Sequence, residues 1–260
     1  MFSIYHFVWL GISIALIVLS LWQLKVRRPS LKSVLTVCSV LALMSELVKT
    51  FSMLHMIPSS DGSQMHLYME MNHLPLHLCS IQLLLIFYVR FAAPGKTRDT
   101  VLAFMYPTCT IGAFLALLLP SIFPDSIQVH QAFTHPLGYQ FFLYHVMLVI
   151  LGLYIPMCGE VELRWNHYWS TMGILAVMAL VSIYLNSIFA VPTYVGGELV
   201  SVDFTTNFFF TQRTPIGIAL VEKWHWYVYL VIILAIAFTA IGAFFLPFRI
   251  AERKAKKEEV

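Results

Sequence analysis

Seven stretches of this chain are apolar for about as long as a helix must be to cross a bilayer. That requirement is about 20 residues for a hydrocarbon layer roughly 30 Å thick. The stretches run Ile4 to Leu24, Val34 to Met56, Leu74 to Val89, Thr100 to Phe123, Leu137 to Met157, Tyr168 to Ala190 and Trp226 to Pro247. The third is short and the second carries charge. Across all 260 residues, 59% are hydrophobic and 11% charged, too little polar surface to coat a water-soluble globule. The expected fold is all-α, a polytopic bundle of seven transmembrane helices forming one domain over residues 1–260.

Basic residues set the expected orientation, because Lys and Arg stay on the cytoplasmic side of short loops. With the N-terminus outside, the inner loops and tail hold Lys25, Arg27, Arg28, Lys32, Arg90, Lys96, Arg98, Arg164, Arg249, Arg253, Lys254, Lys256 and Lys257. Arg213 and Lys223 fall outside, and Lys49 lies within a helix. The C-terminus is then cytoplasmic, and the formal charge of +3 reads as a topology signal rather than a nucleic-acid surface. The first apolar stretch has no basic segment before it and no small-residue cleavage site after it, so it is expected to be a retained helix.

Two outer connections stand out. Residues 191–223, with Pro192, Gly196, Gly197 and Pro215 around an aromatic cluster, are expected to form a lid or an Ω-type seal. The segment SSDGSQMHLYMEMNH has the Met and His of a soft-metal site, but no Cys and no ligand spacing. An interfacial amphipathic helix is the preferred reading there.

Sorting the polar groups by depth, at about 1.5 Å per helical residue, gathers them in the outer leaflet. Cys79 lies about 7 Å deep, Lys49 about 10 Å, His145 about 12 Å and Glu46 about 15 Å. Asn186 and Tyr184 lie near the outer end of the sixth helix, and His225 at the mouth of the seventh. Glu46 and Lys49, three apart on one face, suit a mutually neutralising pair that supports the site. Cys38, Cys109 and Cys158 read as small packing residues.

A deep imidazole is expensive to keep, and its default reading is functional. A desolvated thiol is inert unless a base removes its proton, and a neutral imidazole does that. Cys79 is thus the candidate nucleophile of a thioester mechanism, with His145 the preferred base. His77, two residues before Cys79, would face elsewhere on a regular helix. Asn186 or Tyr184 is placed to hydrogen-bond an oxyanion.

The segments LPLHLCSIQ, FFLYHVMLVI, YLNSIF and NFFFTQRTP resemble the YwaF-like bacterial membrane proteins of the transmembrane protein 164 family. Motif order is similar over nearly the whole chain. Characterised members act as phospholipid acyltransferases with a membrane cysteine and a histidine, and they are distantly similar to the androgen-induced-gene type of fatty-acid-ester hydrolases. The resemblance implies Cys79 as nucleophile, His145 as base and Asn186 as a polar position of the site. It also implies a bacterial cytoplasmic membrane location, a phospholipid donor and a lysolipid or other alcohol or amine acceptor. VGGELVSVDFTT is a departure, intervening where the family's connection is often short.

Acyl transfer or hydrolysis of this kind calls for no metal and no cofactor. Two other classes remain open. A metal-dependent membrane hydrolase would need several His and Asp ligands at one depth, and EKWHWYVYL offers His225 alone. A lipid or solute carrier would line a polar cavity with Glu46, Lys49, His145 and Asn186 without covalent chemistry.

Overall fold

The computed structural model describes residues 2–212 and 226–258. The chain builds α1 (Ile4–Arg27), α2 (Leu31–Met53), the hairpin β1–β2 (His55–Pro58, Met65–Tyr68) and α3 (Leu78–Phe91). Next come α4 (Lys96–Pro107), a π-helical turn (Thr108–Gly112), α5 (Ala113–Leu118), α6 (Ile122–Asp125), α7 (Pro136–Met157) and α8 (Asn166–Ile188). A second hairpin, β3–β4 (Val191–Val195, Glu198–Asp203), leads to a 3-10 turn at Phe208–Phe210, and α9 (Trp226–Glu258) ends the described chain.

Among the described residues, six of the apolar segments are long enough to cross a membrane: α1, α2, the continuous run Lys96–Leu118, α7, α8 and α9. The expected third crossing, 74–89, is shorter as a helix, because α3 begins only at Leu78. Pro75 accounts for this, since proline disfavours helical backbone in the residue before it. Leu74 accordingly sits at φ −57°, ψ 143°, and His77 is still extended at φ −73°, ψ 153°. The second stretch is also shifted. Ser30 caps α2 by accepting from the Ser33 N–H at 3.2 Å, so the helix starts at Leu31 and Met56 falls in β1. The fourth stretch ends at Leu118 rather than Phe123, and the last continues to Glu258 through its charged tail.

α7 is the central helix, with 61% of its most apolar stretch buried against 17% for α1 and α9. Phe142, Leu148, Leu151 and Ile155 are fully enclosed. α1 docks through Trp9, which stacks on Phe142 at 4.8 Å and 3° and donates to the Ala132 carbonyl at 3.0 Å. Gly152 brings α7 against the π turn, where an added Cβ would lie 2.3 Å from Thr110 Oγ1 and 3.0 Å from the Tyr106 carbonyl oxygen. At the C-terminal end of α7, Glu160 accepts from the Leu31 N–H at 2.6 Å and tethers the α7–α8 loop to α2.

The Met- and His-rich connection is not the helix that its sequence suggests. The Met- and His-rich segment forms β1–β2 with a turn around Gly62 at φ +70°, so the expected interfacial helix is replaced by a hairpin and a short 3-10 turn at Met71–His73. Asp61 organises that turn by accepting from Ser59 Oγ, the Ser63 N–H and Ser63 Oγ, which holds its carboxyl down at about 2. In the expected lid, residues 191–203 form β3–β4 around Gly196 and Gly197 at φ +61° and +87°. Two consecutive positive φ values suit a tight hairpin turn that glycine adopts without steric cost.

Candidate functional site

Cys79 occupies the second position of α3, in the first turn of the helix. Among the described residues no side chain caps that end, and the first ladder bond runs from the Ile81 N–H to the His77 carbonyl at 2.9 Å. The Leu78, Cys79 and Ser80 amides are among the donors that a helix start leaves without intrahelical partners. Opposite Cys79 stands Gly112, the last residue of the π turn, where an added Cβ would be 3.8 Å from the cysteine Sγ. One turn along α3, the enclosed Gln82 binds the same π turn, donating to Thr108 Oγ1 at 3.0 Å and accepting from Cys109 Sγ at 3.2 Å. Tyr144 of α7 closes a third side, its hydroxyl donating to the Cys79 carbonyl at 2.9 Å.

His145, next to Tyr144, is 7% exposed, with its ring against Phe141 at a centroid distance of 4.3 Å. Its Nδ1 lies 2.6 Å from the Phe141 carbonyl oxygen, so Nδ1 carries the proton in that contact. The neutral tautomer then leaves the Nε2 lone pair as the basic site. No hydrogen bond joins His145 to Cys79.

The expected Glu46–Lys49 pair forms at 2.8 Å, both side chains about one-quarter exposed or less. His77 is turned away from α3: its ring meets Phe208 at 5.1 Å and Phe210 at 6.3 Å. Asn186 is fully buried, and its amide is wholly committed to the segment after β4. Nδ2 donates to the Phe208 carbonyl at 3.1 Å and to Thr211 Oγ1 at 3.0 Å, while Oδ1 accepts from Thr206 Oγ1 and the Phe208 N–H, each at 2.9 Å. Tyr184, on the same helix, is 67% exposed on the outer surface of the bundle. His225 lies outside the described residues.

The loop that Asn186 holds is under backbone strain, with Phe209 and Phe210 at φ 56° and 54°. Non-glycine residues in that region cost about 1–3 kcal/mol each and persist where surroundings over-determine them. Here Trp226 Nε1 donates to the Thr211 carbonyl at 2.9 Å and the Tyr229 hydroxyl to the Phe210 carbonyl at 2.5 Å. Beneath the loop an apolar groove of about 120 Å³ runs between α3 and α8, lined by Leu76, Ile81, Val177, Val181, Leu185 and Phe208 among others.

Sequence reasoning missed Gln82, Tyr144 and the π turn. Gln82 was discoverable as the polar residue one turn after Cys79 on an apolar helix. The π turn has no comparable signal in TCTIG, and it is packing that reveals it. All four cysteines are free; Cys38 is a packing residue as expected, whereas Cys109 also donates to Gln82. Among the described residues no three His, Cys, Asp or Glu side chains gather as a metal-binding group.

No curated protein and no solved structure matches the chain. Residues 1–243, nearly the full length, match the TMEM164 family. Taken with the membrane-length apolar helices, that match makes this chain an integral membrane protein that belongs to the TMEM164 family.

Proposed function

We propose that this protein is a lipid acyltransferase, or an acyl-ester hydrolase when water is the acceptor, with Cys79 as nucleophile and His145 as general base. The observation that carries the reading is the setting of Cys79 in the uncapped first turn of α3, facing Gly112. A helix N-terminus favours negative charge, so it stabilises a thiolate, and its free amides suit the oxyanion of a tetrahedral intermediate. Asn186 then acts by positioning the Phe208–Phe210 loop over the groove, and the groove takes the donor acyl chain.

The proposed reaction balances in two steps. His145 Nε2 takes the Cys79 proton as sulfur bonds to the ester carbonyl carbon; the C–O bond breaks, and the lysolipid alkoxide leaves with that proton. An acceptor hydroxyl, amine or water then gives its proton to His145 and attacks the thioester, and Cys79 recovers the proton. Proton transfer needs about 3 Å between heavy atoms or one bridging water, so substrate binding must draw the two side chains together.

In this reading the membrane is crossed seven times, with the N-terminus outside and the C-terminus in the cytoplasm, in a bacterial cytoplasmic membrane. α3 supplies about 21 Å of helix, and residues 74–77, which turn through the Leu76 N–H to Leu74 carbonyl bond of 2.7 Å, complete the third crossing as non-helical backbone. Non-helical backbone at that depth is tolerated where protein covers it. The half-helix start at Cys79 is then a broken-helix site of the kind membrane proteins use to bind polar groups. The basic inner loops and tail support the orientation.

The test uses purified full-length protein in vesicles containing a phospholipid with a labelled acyl chain. Labelled acyl adduct on Cys79 and label transfer to a lysolipid are expected, both lost in Cys79→Ala. In His145→Ala, transfer falls while the melting temperature is retained. Full transfer by Cys79→Ala returns the thiol to a packing role and refutes the mechanism.

A further inference from the structure

The two outer hairpins share a design that acyl transfer does not use. In β1–β2, Met56 pairs with Leu67 and Pro58 with Met65, which puts four apolar side chains on one face. His55, Tyr68 and His66, with Ile57, occupy the other face, since side chains alternate along a strand. In β3–β4, Pro192 pairs with Val202 and Tyr194 with Leu199, again an apolar set, because a register shift between Thr193 and Tyr194 leaves Val200 unpaired and breaks the alternation between Ser201 and Leu199. The opposite face carries Thr193, Ser201, Glu198 and Asp203 beside Val191 and Val195. All residues of the four strands are exposed, so neither apolar face is covered by the bundle.

Position identifies the partner. β1 begins two residues after α2 ends, and β3 three residues after α8 ends, so both hairpins are tied to the ends of membrane-length helices. Both lie at the same end of the bundle, because the chain leaving β2 reaches His77, whose ring meets Phe208 just beyond β4. A strand spans about 3.3 Å per residue, which keeps each hairpin within reach of the headgroup boundary. Pro58 in β1 and Pro192 in β3 remove a backbone donor from an open strand, which disfavours edge-to-edge pairing with a second copy.

We propose that β1–β2 and β3–β4 are interfacial anchors that lay their apolar faces, Met56, Met65 and Leu67 in one and Tyr194, Leu199 and Val202 in the other, onto the phospholipid surface at the α2 and α8 ends. The partner is the bilayer's headgroup and upper acyl region, where an apolar face is buried and a polar face stays wet. β3–β4 leads into the Phe208–Phe210 loop, so its anchoring holds the roof of the groove at the lipid surface.

Photo-crosslinking tests the anchor independently of acyl transfer. p-Benzoylphenylalanine is placed at Leu199 or Leu67 on the apolar faces, at Ser201 or His66 on the polar faces, and at Val231 on the exposed surface of α9 as a lipid-facing control. The full-length protein is irradiated in phosphatidylethanolamine–phosphatidylglycerol vesicles and read by intact mass and by gel. Lipid adducts at Leu199 and Leu67 should exceed those at Ser201 and His66 several-fold and approach the Val231 yield. Equal yields on both faces, with Val231 reacting, overturn the proposal. A cross-linked dimer as the main product at Leu199 also overturns it, by assigning that face to a second copy.

Discussion

Replacing Asn186 by alanine should release the Phe208–Phe210 loop while leaving the helices in place. The substitution removes four hydrogen bonds of 2.9–3.1 Å inside a fully buried site and strands the Phe208 N–H and the Thr206 hydroxyl, whereas the Phe208 carbonyl and the Thr211 hydroxyl keep each other at 3.2 Å. At about 1 kcal/mol net for each bond the loss is about 4 kcal/mol. Two left-handed phenylalanines oppose closure of the same loop, so the loss is expected to appear as local opening rather than global unfolding. In hydrogen exchange, peptides covering 206–211 should lose protection by about a thousandfold, since 1.4 kcal/mol is a factor of ten. Peptides of α7 should keep theirs, and Asn186→Asp, which retains the acceptors, should fall between. Unchanged protection of 206–211 in Asn186→Ala would refute the assignment of Asn186 as the residue that holds the loop.

Gly152→Ala should destabilise the protein by about 1–3 kcal/mol, because the new Cβ meets, besides Thr110 Oγ1, the Thr110 backbone nitrogen and the Tyr106 carbonyl oxygen, which cannot swing aside. Gly173→Ala on α8, with nothing within 4 Å of its Cβ, is the control and should be neutral or stabilising; equal melting temperatures for the two variants would count against the close approach. Lys49→Met should cost about 1–3 kcal/mol by leaving Glu46 unpaired, and loss of all turnover at wild-type thermal stability would instead place Lys49 in the chemistry. Because the Asp61 carboxyl is held down to about 2, chiefly by Ser59, its turn should be fully formed above the ordinary carboxylate value and loosen as pH falls through about 2. The Ser63 amide chemical shift reports this, and a midpoint at the ordinary value of 3.8 would contradict it.

Much of the bundle was legible in the sequence because membrane burial imposes a length rule on each segment separately. Apolar run length fixed where α1, α7, α8 and the start of α9 lie to within a few residues, and three-residue spacing paired Glu46 with Lys49. Local chemistry also carried readable detail that was overlooked: Pro75 stops α3 from starting at Leu74, and Ser30 starts α2 early. His145 was nominated by cost, since an ionisable group in hydrocarbon demands a reason, and Cys79 by the chemistry of a thiol with a base in reach of its depth.

Tertiary structure decided what those groups face. The uncapped helix start around Cys79, the π turn that sets Gly112 against its sulfur, and the bond from Tyr144 to its carbonyl join residues 30 to 65 positions apart in sequence. Such contacts follow from how α3, α4 and α7 pack, and hydrophobic periodicity says nothing about rotation about a helix axis when all sides are apolar. That is why depth alone did not show that Asn186 bonds to the segment after β4, or that Tyr184, two residues before it, faces outward. The first hairpin escaped for a related reason: a four-residue strand carries too short an alternation to outweigh a helical reading until its partner strand is in place.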